Sequence, residues 1–129
     1  MSSIFTKIIN GEIPGYKITE DENFIAILDV NPNAKGHTLC IPKQEINTIF
    51  DMDEDLYLVL MKFSRKVAKA VEKTVECKRI GVAVIGLEVP HTHVHLIPLH
   101  DMDDMRFQRK VSLTKEEFEQ LASDIRANL

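Results

Sequence analysis

Apolar positions along the chain fall into two periods, and the switches between them mark out the elements. Phe24-Ile25-Ala26-Ile27-Leu28-Asp29-Val30 is a short, nearly continuous apolar run, which predicts a largely buried strand. Asn31-Pro32-Asn33-Ala34-Lys35-Gly36 carries turn chemistry, and His37-Thr38-Leu39-Cys40-Ile41 resumes the apolar pattern, so the two runs predict a hairpin with a six-residue connection. Further on the spacing lengthens. Leu56, Leu60, Phe63, Val67 and Val71 recur at intervals of three and four, with Lys62, Lys66, Lys69 and Lys73 on the opposite side. This predicts an amphipathic helix, capped by Asp51 or Asp53, that covers one face of a sheet. Arg79–Ile85 reads as another strand, Gly86 as a turn, and His91–Ile97 as the strand antiparallel to it. Thr114 and Glu117 stand at capping-box spacing with Leu113 as a staple, and Leu121 and Ile125 extend an apolar stripe, which predicts a terminal helix. The sum is an α+β domain: a small, mainly antiparallel sheet with one long helix and a C-terminal helix.

Composition narrows the class. At 129 residues, without repeat or linker, the chain is expected to form a single domain over residues 1–129, with a core of 4–100 and an extension of 101–129. No apolar run approaches the roughly 20 residues that span a bilayer, so no membrane partner is expected. A net charge of −4 argues against a broad nucleic-acid surface, which would need a basic face. The first residues lack the basic stretch and apolar core of a signal peptide, so a cytoplasmic protein is expected. Cys40 and Cys77 lie far apart with no CxxC spacing and read as reduced, structural thiols.

Three of the chain's 5 histidines occupy alternate positions in His91-Thr92-His93-Val94-His95. Strand side chains alternate faces at about 3.3 Å per residue, so this spacing places three imidazoles on one face, about 7 Å apart, with Thr92, Val94 and Leu96 turned into a core. His37 is the only histidine of the first half. Three kinds of chemistry suit such a row. With His37 it could begin a zinc site. It could merely satisfy buried hydrogen bonds. Or a neutral imidazole, held by a backbone carbonyl as a donor at one nitrogen, could aim the other nitrogen at phosphorus while its neighbours bind oxygens or the leaving group.

His91-Thr92-His93-Val94-His95-Leu96-Ile97 resembles the signature of the histidine triad superfamily, and the likeness extends over residues 4 to 100. Ile4–Pro14 is similar to the family's N-terminal segment, Leu28-Asp29-Val30-Asn31-Pro32 to its ribose-binding turn, and Lys35–Lys43 to its second histidine strand. The likeness is greatest to the nucleotide-binding branch that hydrolyses purine nucleoside phosphoramidates. The resemblance implies that His93 is the nucleophile, that the carbonyl of His91 orients it, that His95 meets phosphate or leaving group, and that His37 supports the row from the next strand. It further implies that Asp29 accepts the ribose hydroxyls and that Phe5, Ile8, Ile13, Ile27, Val30 and Leu39 line a slot for the purine of an AMP or GMP derivative. A homodimer with joined sheets is implied, with no cofactor. Some bacterial relatives hold zinc through an N-terminal CxxC; Ser3 and Thr6 stand at those positions here, so no metal is expected.

One segment departs from the family pattern. Val84-Ile85-Gly86-Leu87-Glu88-Val89-Pro90 lacks the family's asparagine and its Gly-Gln-Ser or Gly-Gln-Thr, and it brings Glu88 towards the phosphate. Two further readings therefore stand beside the phosphoramidase: a dinucleoside polyphosphate hydrolase and a weakly catalytic nucleotide-binding module. After His100, Met102, Met105 and Phe107 are candidates for contact with a partner subunit, and Asp101, Asp103 and Asp104 are expected to face solvent.

Overall fold

The computed structural model describes residues 2–129; Met1, with which the expected domain begins, lies outside them. Five strands form one antiparallel sheet: β1 (Lys17–Glu20), β2 (Phe24–Leu28), β3 (Thr38–Pro42), β4 (Arg79–Ala83) and β5 (Val94–Leu99), in the spatial order β1-β2-β3-β5-β4. Three helices accompany it: α1 (Ile4–Ile9), α2 (Glu54–Thr74) and α3 (Lys115–Ala127). The expected α+β class with a small antiparallel sheet is what forms.

Strand alternation divides the apolar residues into two clusters. Phe24, Ala26, Leu28, Cys40, Val94 and Leu96 face α2 and α3, where they pack with Leu60, Val67, Val71, Phe118, Leu121 and Ile125. Ile25, Ile27, Leu39 and Ile41 face the other way and are covered by Phe5 of α1, with Ile8, Ile9 and Val89 at the margin. His95 belongs to this second face, opposite Leu39 on β3 and Ala83 on β4. The long helices thus cover one side of the sheet, and α1 with the Val89 segment packs on the other.

Boundaries shift where turn chemistry wins over the apolar run. β2 stops at Leu28 and β3 starts at Thr38, so the hairpin connection is longer than predicted. Asn31 donates its N–H to Asp29 Oδ1 at 2.8 Å and Asp29 donates to the His37 carbonyl at 2.9 Å, drawing Asp29, Val30 and His37 into the turn. Gly36 adopts φ +98°, a conformation glycine enters without strain. β5 begins at Val94, because the amide of Thr92 bonds the Ile46 carbonyl at 2.8 Å and leaves the sheet ladder. Pro98 lies two residues past Leu96, the last β5 residue paired with β3, and pairs only with β4, so its missing N–H breaks no central ladder. Asp53 is the N-cap of α2, while Asp51 instead accepts from the Thr48 hydroxyl at 2.6 Å. α3 carries the expected capping box between Thr114 and Glu117. Among the described residues no helix is long and apolar enough to cross a membrane.

Candidate active site

The histidine row is assembled by the hairpin and by β5. His91, His93 and His95 are 0%, 8% and 7% exposed, and His37, delivered by the turn before β3, is 1% exposed. The ring centroids of His93 and His95 lie 4.9 Å apart, and those of His37 and His95 5.1 Å apart. Four imidazoles at this depth each need partners, and the partners fix every proton.

Groups that can only donate or only accept set the tautomer of each ring. The Asn33 amide donates to His37 Nδ1 at 2.9 Å, so the neutral ring of His37 carries its proton on Nε2. That Nε2–H donates to His95 Nδ1 at 2.9 Å, which leaves His95 with a proton on Nε2. His93 Nδ1–H donates to the His91 carbonyl at 2.7 Å, and its Nε2 keeps a free lone pair. His91 Nε2–H donates to the Pro42 carbonyl at 2.7 Å. The row therefore presents one nucleophilic nitrogen, on His93, beside one N–H donor, on His95.

Burial keeps these rings neutral. Desolvation, helped by the neighbouring charges of His95 and Lys110, lowers the pKa of His37 from 6.5 to about 3. Desolvation with repulsion from His93 and Lys110 brings His95 to about 4. His93 is also shifted down by desolvation, opposed by its bond to the His91 carbonyl and by Asp29. A lone pair on His93 is thus present throughout the neutral range.

A cavity of about 580 Å³ opens onto the row, lined in part by Asp29, Leu39, Glu88, His93, His95 and Phe107. Burial raises the pKa of Asp29. Its Oδ2 lies 3.5 Å from His37 Nε2. Of the six apolar residues predicted for a purine slot, Leu39 lines this cavity, and Phe5, Ile8 and Ile27 cluster with Leu39 beside it. Ile13 lines a smaller pocket of about 260 Å³ with Ile8, Ile25 and Ile27. Val30 is 66% exposed and opens onto a separate cleft with Tyr16 and Arg126, so the structure does not bring it to His93.

Two possible metal positions fail on chemistry. Asp29, His37 and His95 offer ligand atoms within 4.8 Å of one another, but His37 turns its protonated Nε2 towards the other two and its Nδ1 is taken by the Asn33 amide. At the N-terminal position, Ser3 and Thr6 present neutral hydroxyls where thiolates would hold zinc, and both are hydrogen-bonded to protein groups.

Residues after His100 build a wall that sequence reasoning missed. Phe107 sets its ring edge-on to His95 at 4.9 Å and to His37 at 6.0 Å, and it adopts φ +59°, an uncommon conformation for a non-glycine residue. Lys110 lies 5.1 Å over the Phe107 ring and donates to Asn33 Oδ1 at 2.6 Å, tying the wall to the turn that supplies His37. Asp104, expected in solvent, is 3% exposed. Desolvation would raise its carboxyl, but bonds from the His100 amide, Arg109 and the His100 ring hold it down at about 2. Met105 packs against Gly81, while Met102 is 70% exposed.

The chain is similar to known proteins over most of its length. Residues 10–102 match the HIT domain family. An uncharacterized HIT-like protein of Borreliella burgdorferi is 36% identical, covering 98% of this chain and 97% of its own. The adenosine 5'-monophosphoramidase of Saccharomyces cerevisiae is also 36% identical, over 76% of this chain and 63% of its own. Among solved structures, a Hit-like protein from Bartonella henselae superposes with a TM-score of 0.85 at 34% identity, covering 99% of this chain and 97% of that one.

Proposed function

Because the chain belongs to the HIT domain family, we propose that it is a nucleotide hydrolase that cleaves purine nucleoside 5'-phosphoramidates or related nucleotidyl esters through a covalent intermediate on His93. The observation that carries this reading is the proton arrangement: a free Nε2 on His93, fixed by the 2.7 Å bond from its Nδ1–H to the His91 carbonyl, next to an N–H on His95.

In the first step the His93 Nε2 lone pair attacks the α-phosphorus and the P–N bond breaks, its electron pair leaving with nitrogen. That nitrogen departs as a neutral amine carrying a proton from solvent, while His95 Nε2–H hydrogen-bonds it or a phosphoryl oxygen as charge develops. Water then attacks phosphorus and gives up a proton to solvent, the P–Nε2 bond breaks with its electron pair returning to Nε2, and the nucleoside monophosphate leaves with His93 restored. On this reading Asp29, which lines the cavity with His93, accepts the ribose hydroxyls, and the apolar cluster of Phe5, Ile8, Ile27 and Leu39 takes the base. No step needs a metal. A homodimer formed through the uncovered edge of β4, where Val82 is 53% exposed, and residence in the cytoplasm as a single domain belong to the same proposal.

Arg106 and Lys110 on the cavity wall favour one second reading, in which the leaving group is itself a nucleotide and the substrate a dinucleoside polyphosphate. Steady-state hydrolysis of adenosine 5'-monophosphoramidate, with diadenosine polyphosphates as competitors, separates the two. His93→Ala should lose at least about 1000-fold in kcat while still binding AMP. Equal, slow turnover by wild type and variant would instead indicate a nucleotide-binding module.

A further inference from the structure

The carbonyl that orients His93 belongs to a residue whose own ring is held from outside the histidine row. His91 Nε2–H is committed to the Pro42 carbonyl, so its Nδ1 must accept, and its partner is the Ser3 hydroxyl at 2.5 Å. Ser3 is the N-cap of α1, and its Oγ accepts from the Thr6 amide at 3.1 Å. Glu45 closes the arrangement from β3's exit: its Oε1 accepts from the Ser3 amide at 2.5 Å and from the Thr6 hydroxyl at 2.8 Å. The same short helix places Phe5 with its ring edge-on to His93 at 4.8 Å and to His91 at 5.8 Å. Ser3 and Phe5 therefore grip His91 and His93 from one element, and Glu45 pins that element to the sheet.

We infer that Ser3, anchored by Glu45, is a positioning residue that holds His91 so that its carbonyl fixes the His93 tautomer. The inference rests on the reading of His93 as nucleophile, yet its structural half is independent of any substrate. Without the Ser3 hydroxyl, a ring nitrogen of His91 with no solvent exposure loses its partner. The ring and the carbonyl on the same residue then lose a fixed direction, and the nucleophile loses its alignment.

The test combines kinetics with imidazole ¹⁵N–¹H spectra of the full chain. In Ser3→Ala, kcat for adenosine 5'-monophosphoramidate should fall about 10- to 100-fold with KM within about twofold, the pattern of a misaligned nucleophile. The His93 signals should shift from a single Nδ1–H tautomer towards a mixture, and Ser3→Thr should restore both. Wild-type kcat and an unchanged His93 signature in Ser3→Ala would overturn the inference. Should Ser3→Ala fail to fold, Glu45→Ala, an exposed substitution, should still lower kcat about 3- to 10-fold and perturb the His93 signature, and no change there would overturn it equally. A wild-type protein inert towards the phosphoramidate would sink the proposed function alone, because the His93 spectrum would still report whether Ser3 sets the tautomer.

Discussion

Between pH 7 and pH 5 the folded protein should lose about 4 kcal/mol of stability, through His37 and His95. Both rings are buried, and folding lowers their pKa values from 6.5 to about 3 and about 4. As pH falls through 6.5 the unfolded chain takes up two protons that the folded chain refuses, so the unfolded state gains. At pH 5 the unfolded ring is protonated by a factor of roughly 30 while the folded ring is almost untouched, which is worth about 2 kcal/mol per histidine at 1.36 kcal/mol per tenfold. The loss is absent above pH 7 and continues down to the folded pKa values. Asp104, lowered from 3.8 to about 2, adds its loss only below this window. His100, raised by its bond to the Glu76 carbonyl and by Asp104, is half exposed and opposes the trend weakly. His93, also lowered by burial, deepens the loss in the same direction. Urea unfolding at pH 7, 6 and 5 with a constant m-value measures the slope, and His95→Gln should make it shallower. A loss below about 1 kcal/mol, or the same slope in the variant, would refute the claim that these imidazoles are neutral because they are dry.

Three further outcomes follow from the site and its supports. Phe107→Ala removes the ring that walls off His95 and should raise the His95 pKa in an imidazole NMR titration; an unmoved pKa would show that Phe107 does not control solvent access. Gly36→Ala forces a side chain into φ +98° with its Cβ 3.1 Å from Val75 and 3.2 Å from Pro98, and should cost about 1–3 kcal/mol in urea unfolding, with a null effect contradicting the tight turn before His37. Glu88→Gln should tighten AMP binding about three- to tenfold in calorimetry by removing a carboxylate from the cavity wall, and unchanged affinity would mean that Glu88 turns away from the phosphate.

The parts of this molecule written in local pattern were legible in the sequence. α2 announces itself through five apolar residues at helical spacing, α3 through the Thr114–Glu117 box, and the β2–β3 hairpin through two apolar runs around turn residues. The histidine row was visible because period two is a strand's own period. α1 and β1 were not read as elements: six and four residues give too few turns or alternations for a period to show, and both are held by tertiary contact. Asp104 was misplaced because its neighbours Asp101 and Asp103 make an acidic surface run, while its burial comes from His100 and Arg109 closing over it. Phe107 and Lys110 reach the site only through a left-handed residue and a bond to Asn33, 77 positions away from Lys110. Ser3 stood out only as the residue in place of a zinc-binding cysteine, and nothing local to it shows that its hydroxyl reaches His91, 88 positions away.

The central claim is that His93 becomes covalently nucleotidylated. Rapid-quench mass spectrometry of the protein mixed with adenosine 5'-monophosphoramidate tests it at the bond itself. The expected result is an adduct of one AMP on the peptide carrying His93, forming and decaying as free AMP appears. AMP release with no adduct at any time point, or an adduct on another residue, would contradict the account.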